Sequence, residues 1–210
     1  MAFDWGMATR HLYLCTPDRD DLADFVRACI RGGVDVVQLR EKDATDQRIV
    51  ERARMLRPLC EDLGVPFILN DRPDLALESE AHGVHVGQDD VGPRVARDLL
   101  GEGAIIGLST HAPAEVAASV NEPVDYISAG PVVPTPTKPG RPGTGAGYID
   151  VAVRTSGARP VFVTGGMTPE TVGDIAAVGA RHFVVVRYLT QSADPERSAR
   201  LLREAIDRAL

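Results

Sequence analysis

Eight short apolar runs alternate with eight amphipathic stretches along this 210-residue chain. The apolar runs are rich in Val, Ile or Leu, as buried parallel strands are, and the stretches between them have helical spacing. The runs that predict strands are 11–16, 34–39, 66–69, 83–86, 104–108, 126–129, 160–163 and 183–186. The stretches that predict helices are 22–31, 46–63, 74–80, 93–100, 113–120, 149–154, 169–178 and 194–210. An alternation this regular predicts an α/β fold built on a parallel sheet.

Eight strand–helix pairs in 210 residues fit a single-domain (β/α)8 TIM barrel that spans residues 1–210. A doubly wound open sheet is the alternative, although such sheets more often have about six strands. Two helix starts support the pattern, because Thr168-Pro169-Glu170 and Asp194-Pro195-Glu196 each offer a capping residue, a proline and an acid. Residues 1–10 precede the first strand and are expected to form a flexible or additional segment.

Composition and charge exclude several classes of function. The chain is 44% hydrophobic and 25% charged, which is ordinary for a globular protein. Its formal net charge of −7 and the lack of a long basic run argue against a nucleic acid partner. No run approaches the ~18 apolar residues of a membrane span, and no signal peptide pattern is visible. We therefore expect a cytoplasmic protein without a membrane partner, whose cysteines, Cys15, Cys29 and Cys60, are reduced and buried.

Polar residues follow the second predicted strand, where barrels of this kind build their active sites. Gln38 and Arg40 are two residues apart, so both side chains face the same side of the strand, and Lys42 lies just beyond. Val37 and Leu39 face the other side, which suits packing against helices. A solvated charge cluster is the alternative, but it does not explain this alternation. Because the net negative charge would repel anions, a local cationic cluster predicts an anion site.

Carboxylates follow the third and fourth predicted strands. Asn70-Asp71 ends the third strand, and Asp90 lies in the Gln88-Asp89-Asp90 segment after the fourth. Neighbouring parallel strands end at the same rim, so Asp71 and Asp90 can approach each other. Mg²⁺ is commonly held by one or two carboxylates together with phosphate oxygens and water. The pattern predicts a magnesium site beside Arg40 and Lys42.

A second anion site is predicted at the loops after strands seven and eight, which form the usual phosphate site of these barrels. Gly165-Gly166 allows backbone amides to approach an anion, just before the helix predicted from Pro169. Arg187 follows the eighth strand. The loop 131–147 after strand six is long and rich in Pro and Gly, and it contains Thr135, Thr137 and Lys138. We interpret it as an active-site loop rather than a linker.

The remaining polar residues do not predict an activated nucleophile. Ser109 is followed two residues later by His111, but the flanking sequence is not GxSxG, so we interpret Ser109 as a hydrogen-bond donor to substrate. His82 and His85 fall on opposite faces of a strand, which favours core or rim histidines over a shared metal site. Two anion sites without a placed acid or base suit displacement of a diphosphate by a second phosphorylated substrate.

The sequence resembles the thiamine-phosphate synthase family. The resemblance runs from about residue 11 to residue 190 and rests on several short segments in family order. They are VQLREKD at 37–43, LNDRPDLA at 69–76, GVHVGQDD at 83–90, IGLSTH at 106–111, the stretch from Asp125 to TPTK at 135–138, and Gly165-Gly166. Together they are highly specific, although no single segment is.

The resemblance implies a TIM barrel that joins hydroxymethylpyrimidine diphosphate to a thiazole phosphate, with Mg²⁺ as cofactor and two phosphorylated small molecules as partners. It implies that Asp71 and Asp90 bind the metal. The implied contacts to the pyrimidine diphosphate are Gln38, Leu39, Arg40, Glu41, Lys42, Asn70, Ser109 and Lys138, of which Arg40, Lys42, Ser109 and Lys138 are the catalytic candidates. The implied contacts to the thiazole phosphate are Thr135, Pro136, Thr137, Gly166, Val186 and Arg187.

Small departures from the family pattern occur at Cys15, Met167 and Arg187, and Arg187 adds a cation near the expected phosphate. Two alternatives stay open at this point: a related thiazole tautomerase, which needs no diphosphate clamp, and a non-catalytic barrel that binds a phosphorylated ligand. A homodimer is left open as the assembly.

Overall fold

The computed structural model of the chain describes residues 5–134 and 142–210. Eight parallel strands pair in chain order, and β8 closes onto β1 to complete a barrel. The strands are β1 (Leu12–Thr16), β2 (Val36–Leu39), β3 (Phe67–Asn70), β4 (Gly83–Val86), β5 (Ile105–Thr110), β6 (Tyr126–Ala129), β7 (Val161–Thr164) and β8 (His182–Val185). The prediction of a (β/α)8 TIM barrel is confirmed, and the open sheet is excluded.

The helices surround this barrel. Within the described residues they are α1 (Leu22–Arg31), α2 (Asp46–Asp62), α3 (Pro73–Glu78), α4 (Pro93–Leu100), α5 (Pro113–Ser119), α6 (Gly145–Thr155), α7 (Val172–Ala177), α8 (Arg187–Thr190) and α9 (Pro195–Ala209). The short α8, between β8 and α9, was not predicted. In this part of the chain, no helix has the length and apolar character needed to cross a membrane. The three cysteines are buried and free, as expected.

The predicted helix starts have different outcomes. Asp194 caps α9 as predicted, since its Oδ1 accepts a hydrogen bond from the Arg197 amide at 3.0 Å. The start predicted at Pro169 is wrong, because α7 begins at Val172. The Thr171 hydroxyl accepts from the Thr168 amide at 2.9 Å and donates to the Gly166 carbonyl at 2.8 Å. These bonds close a turn over 168–171 and delay the helix. The loop predicted to end at 147 ends earlier, because α6 begins at Gly145.

Alternation along the strands divides the core into two layers. Outward-facing residues such as Val37 and Leu39 pack under the helices in one continuous apolar cluster. Inward-facing residues near the amino ends of the strands are also apolar, for example Ile68 and Phe162. Farther along the same inward faces the residues become polar, as at Gln38. The barrel interior is therefore an apolar plug at one end and a polar floor at the other.

Residues 5–10 close the amino end of the barrel. Trp5 and Met7 are buried among the inward-facing apolar side chains. The Trp5 ring lies 4.2 Å from the ring of His82, centroid to centroid. Arg10 donates to the carbonyl of Trp5 at 3.1 Å and to that of Gly64 at 3.1 Å. This part of the amino-terminal segment is an ordered addition to the barrel.

Candidate active site

A cavity of about 750 Å³ opens at the carboxyl ends of the strands. Ten of the residues predicted from the sequence line it: Gln38, Arg40, Lys42, Asn70, Asp71, Asp90, Ser109, Gly166, Val186 and Arg187. They come from six different strand ends, which the closure of the barrel brings around one space. Another four, Thr135, Pro136, Thr137 and Lys138, lie outside the described residues.

Leu39 and Glu41 have side chains that do not line the cavity. Leu39 is 1% exposed and packs in the outer core, as strand alternation requires. The Glu41 carboxylate turns toward α2, where its Oε1 lies 3.4 Å from Nε of Arg52. Burial raises the pKa of this carboxyl. Contact between either residue and a ligand in the cavity would therefore have to use backbone atoms.

The cations of the cavity are available to an anion. Within residues 5–134 and 142–210, neither Arg40 nor Arg187 forms an ion pair with a carboxylate, although both border the cavity. Lys42 is the third cation, and its Nζ lies 3.4 Å from Oδ2 of Asp71. A protein with a net charge of −7 does not attract anions in general. These three side chains form a local region of positive charge that attracts an anion into the cavity.

Asp71 and Asp90 come together as predicted. Asp71 has a φ of 63°, a left-handed backbone conformation that is uncommon for a residue other than glycine. Burial raises the pKa of its carboxyl, and the nearby Asp90 raises it further, whereas Lys42 lowers it. Asp90 is held in place by the amide of Gly87, which donates to its Oδ2 at 2.8 Å. Two carboxylates held this close to each other repel, and a cation between them would relieve the repulsion.

The glycine pair after β7 borders the other side of the cavity, four strands from Asp71 and three from Asp90. Gly165 and Gly166 have φ values of 102° and 80°. A Cβ on Gly166 would lie 2.6 Å from Cγ2 of Val133, so the loop after β7 packs directly on the loop after β6. The glycine backbone itself borders the cavity. The helix terminus that was predicted to favour an anion beside it does not do so, because α7 begins only at Val172.

The polar floor of the cavity contains residues that sequence reasoning did not assign to the site. Tyr13, His85 and Ser128 all line the cavity. His85 Nε2 lies 2.9 Å from the hydroxyl of Ser109, so the histidine expected in the core or at the rim belongs to the site. The signal that could have found them is parity, since each occupies an inward position of its strand, as Gln38 does.

The closed barrel and this cavity define the class: a TIM-barrel protein with a cationic ligand pocket at the carboxyl ends of its strands. The family model described as Thiamine monophosphate synthase matches residues 12–189. The thiamine-phosphate synthase of Thermus thermophilus is 43% identical over 183 residues, covering 87% of this chain and 88% of the relative. That of Mycolicibacterium smegmatis is 40% identical over 210 residues, covering 94% and 92%.

A solved structure agrees with these relatives. The thiamine phosphate pyrophosphorylase of Pyrococcus furiosus superposes with a TM-score of 0.86 at 27% identity, covering 95% of this chain and 96% of that one. The chain belongs to the thiamine-phosphate synthase family, whose members are transferases. The resemblance seen in the short segments is thereby confirmed.

Proposed function

We propose that the cavity joins a hydroxymethylpyrimidine diphosphate to a thiazole phosphate, giving thiamine phosphate and free diphosphate. The observation that carries this proposal is a single cavity with two separate ends suited to anions. Arg40 and Lys42 lie at one end beside Asp71 and Asp90. The Gly165-Gly166 backbone and Arg187 lie at the other. Two phosphorylated substrates can therefore meet over the floor between them.

Magnesium fits the first end. Asp71 and Asp90 would hold the ion, and no cluster of three or more acidic, His or Cys side chains in the described residues offers a fuller set of ligands. Two protein carboxylates suit Mg²⁺, which keeps several waters and takes substrate phosphate oxygens as further ligands. When bound, the ion would neutralise charge that develops on the departing diphosphate. The raised pKa of the Asp71 carboxyl supports a site built to receive a cation.

In this proposal the chain itself has two tasks, one for each phosphorylated substrate. Arg40 and Lys42 stabilise the diphosphate as it leaves, and Lys138 adds a third cation, as the family resemblance implies. The Gly166 backbone and Arg187 hold the thiazole phosphate so that the thiazole nitrogen points at the reacting carbon. Thr135 and Thr137 would contact the same phosphate. We also propose a cytoplasmic location, which the three buried free thiols support.

The proposed order of events is dissociative. An aminopyrimidine ring donates electron density to its exocyclic methylene carbon, so the bond to diphosphate can break before the thiazole nitrogen attacks. The carbon then carries a positive charge that the ring delocalises, and the attack forms the new carbon–nitrogen bond. No general base is needed at the reacting carbon, since the thiazole nitrogen attacks through a lone pair.

The lining of this cavity fits a thiazole tautomerase less well than it fits a synthase. An isomerase that handles only the thiazole phosphate needs no second group of cations. Arg40 borders the cavity with no carboxylate partner in the described part of the chain, which favours a diphosphate ligand.

The test of the proposed function is an incubation with both substrates and Mg²⁺, followed by chromatography of the products. We expect thiamine phosphate and diphosphate in equal amounts, formed only when both substrates are present. Conversion of the thiazole without the pyrimidine would indicate an isomerase, and tight binding without product would indicate a sensor. Arg40→Ala should lower turnover. Arg54→Ala is the control that should leave turnover unchanged, because Arg54 lies on the surface of α2 and pairs with Glu78 of α3.

The order of events is tested by a pyrimidine diphosphate that carries an electron-withdrawing substituent. A dissociative reaction should slow strongly in a single turnover, because the substituent destabilises the cation. Lys138→Ala should lower kcat more than it raises KM, because the charge on the leaving oxygen grows toward the transition state. An unchanged or faster chemical step with the substituted pyrimidine would favour associative displacement.

A further inference from the structure

Glu41 lies in the chain between the two cations at the end of the cavity assigned to the diphosphate. It follows Arg40 and precedes Lys42, and both of these neighbours line the cavity. Strand alternation does not fix where Glu41 points, because β2 ends at Leu39. A carboxylate at this position could pair with Arg40 and occupy the charge that a diphosphate needs.

The Glu41 carboxylate is instead buried and does not line the cavity. Its side chain is 1% exposed, and neither carboxylate oxygen accepts a hydrogen bond from any residue in the described ranges 5–134 and 142–210. Burial of a charged group without hydrogen bonds is unfavourable. The carboxylate therefore depends on a cation that compensates its charge.

Arg52 of α2 is that cation. Its Nε lies 3.4 Å from Oε1 of Glu41, and its side chain is 15% exposed. The loop after β1 holds the rest of the guanidinium, because Nη2 lies 2.6 Å from Oδ1 of Asp18 and Nη1 donates to the carbonyl of Arg19 at 2.7 Å. All three guanidinium nitrogens thus have partners outside the cavity. Because these contacts fix Arg52, its ion pair retains the Glu41 carboxylate beside α2.

Arg48 provides a comparison on the same helix. It lies one turn before Arg52, and its Nη2 pairs with the same Asp18 at 2.9 Å. Within the described residues, Arg48 forms its ion pair with Asp18 and none with Glu41. The two arginines add equal charge to the same helix, but of the two only Arg52 pairs with Glu41.

Loss of Arg52 would leave the Glu41 carboxylate buried without a compensating cation. The cost of that burial favours a rotamer that brings the carboxylate to another cation. Arg40 is its neighbour in the chain, borders the cavity and has no carboxylate partner in the described part of the molecule. A new pair with Glu41 would occupy Arg40 and place a negative charge beside the bound diphosphate.

We propose that Arg52 is a positioning residue, which holds the Glu41 carboxylate out of the cavity and thereby keeps Arg40 free to bind the diphosphate. Arg52 does not line the cavity, so it acts through Glu41 and not on the substrate. The identity of the anion as a diphosphate rests on the proposed function.

Calorimetric titration of inorganic diphosphate, with Mg²⁺ present, tests the role of Arg52 without requiring catalysis. Arg52→Met should raise the Kd for diphosphate about 10-fold, because a like charge then lies beside the anion. Arg52→Lys retains a cation near Glu41 and should raise the Kd less. Arg48→Met is the matched control, and it should change the Kd by less than about two-fold, because solvent and salt screen an exposed charge. Equal losses in Arg48→Met and Arg52→Met would contradict a role exerted through Glu41.

A double-mutant cycle separates the release of Glu41 from a general loss of positive charge. Glu41→Gln has no charge that could pair with Arg40, so adding Arg52→Met to it should have little further effect on the Kd. A charge effect of Arg52 on the anion itself would instead raise the Kd by the same factor in both backgrounds. Additivity of Glu41→Gln and Arg52→Met would therefore overturn the inference.

The combined variant also covers the case in which Arg52→Met alone does not fold. It leaves no buried carboxylate at this position, and its Kd is compared directly with that of Glu41→Gln. A loss of about 10-fold in this comparison would show that Arg52 does not act through Glu41. In kinetic assays, Arg52→Met should raise KM for the pyrimidine diphosphate and leave KM for the thiazole phosphate unchanged. A loss of folded protein alone would change neither KM value.

Failure of the inference and failure of the proposed function give different results. Wild-type protein that binds diphosphate but forms no thiamine phosphate would refute the proposed reaction and leave the role of Arg52 standing. Normal synthase activity with an unchanged Kd in Arg52→Met would overturn the role of Arg52 alone. Wild-type protein that does not bind diphosphate would refute both.

Discussion

Asp71 combines two features that are unfavourable in a protein without a ligand. Its φ of 63° is a left-handed conformation, which Asp tolerates better than most residues. Its carboxylate is also close to that of Asp90, and burial raises its pKa. A site with strain and like charges is stable only when the surrounding structure holds it in place. Such residues concentrate at ligand sites.

Asp71→Asn should increase the magnesium concentration needed for turnover without lowering the stability of the fold. Asn also tolerates the left-handed conformation and carries no charge to repel Asp90, so the free energy of unfolding should stay equal or rise by up to about 1 kcal/mol. The magnesium concentration that gives half-maximal turnover should rise about 10-fold or more. Both quantities are measured on the same preparation, by urea unfolding and by a magnesium titration of activity. Asp150→Asn, which breaks an exposed pair with Arg154 on α6, is the control that should leave turnover unchanged.

A substitution at Gly166 is expected to weaken the binding of only one substrate. A valine there meets Val133 at 2.6 Å and must adopt a φ of 80°, so the backbone next to the expected thiazole phosphate shifts. We expect Gly166→Val to raise KM for the thiazole phosphate by about 10-fold, equivalent to about 1.4 kcal/mol. KM for the pyrimidine diphosphate should change little.

The control for Gly166 is Gly64→Ala. Gly64 also has a positive φ, of 69°, but a Cβ there has nothing within 4 Å, so this change adds backbone strain without a contact in the cavity. It should lower stability and leave both KM values unchanged. Equal losses for both substrates in Gly166→Val would indicate general misfolding rather than a phosphate site.

Among the elements, the segment before β1 has a structural role that can be measured. Trp5 packs on His82 and covers the amino end of the barrel interior. Trp5→Ala should lower the free energy of unfolding by about 3 kcal/mol, because it leaves a cavity under the barrel. Trp5→Phe should cost less, since a ring remains. Urea unfolding measures both.

Trp5 lies at the end of the barrel opposite the active site, so the folded fraction of Trp5→Ala should keep its kcat at 25 °C. A loss of kcat without a loss of stability would contradict the structural role.

The stability of the whole molecule should depend on His82 in mild acid. Burial, with a contribution from Arg57, lowers the pKa of His82 from 6.5 to about 4. The unfolded chain therefore binds a proton near pH 6.5 that the folded chain binds only near pH 4. The stabilisation is complete above pH 6.5 and is lost as the pH falls toward 4. Because His82 is only half-buried, we expect an effect of about 1 kcal/mol.

The test is urea unfolding of the wild type and His82→Asn between pH 4 and 8. Asn keeps an acceptor for the amide of Phe67, which donates to Nδ1 of His82 at 2.9 Å, but it does not titrate. The free energy of unfolding should fall less steeply toward pH 4 in the variant. Parallel curves would show that His82 does not contribute to the acid sensitivity.

Short-range patterns were sufficient to predict the eight strands and the faces of those strands. Each of the eight strands lies within two residues of its predicted ends, because an apolar run flanked by turn residues reports local backbone preference and burial together. Parity along β2 correctly predicted that Gln38 and Arg40 would face the cavity and Leu39 the helices. Capping chemistry predicted the start of α9, where the Asp194 side chain accepts a hydrogen bond from the Arg197 amide.

Only the tertiary structure decided how side chains from different strands meet. Glu41 is drawn toward Arg52 on α2, and His85 reaches Tyr126 only because Gly107 stands between them in register. One local contact was also missed, because the Thr171 hydroxyl donates to the Gly166 carbonyl and delays the start of α7. Alternation and capping are set within a few residues of chain. Contacts across the barrel depend on strand register and on closure, which pairs Leu12 of β1 with Phe183 of β8 near the other end of the chain.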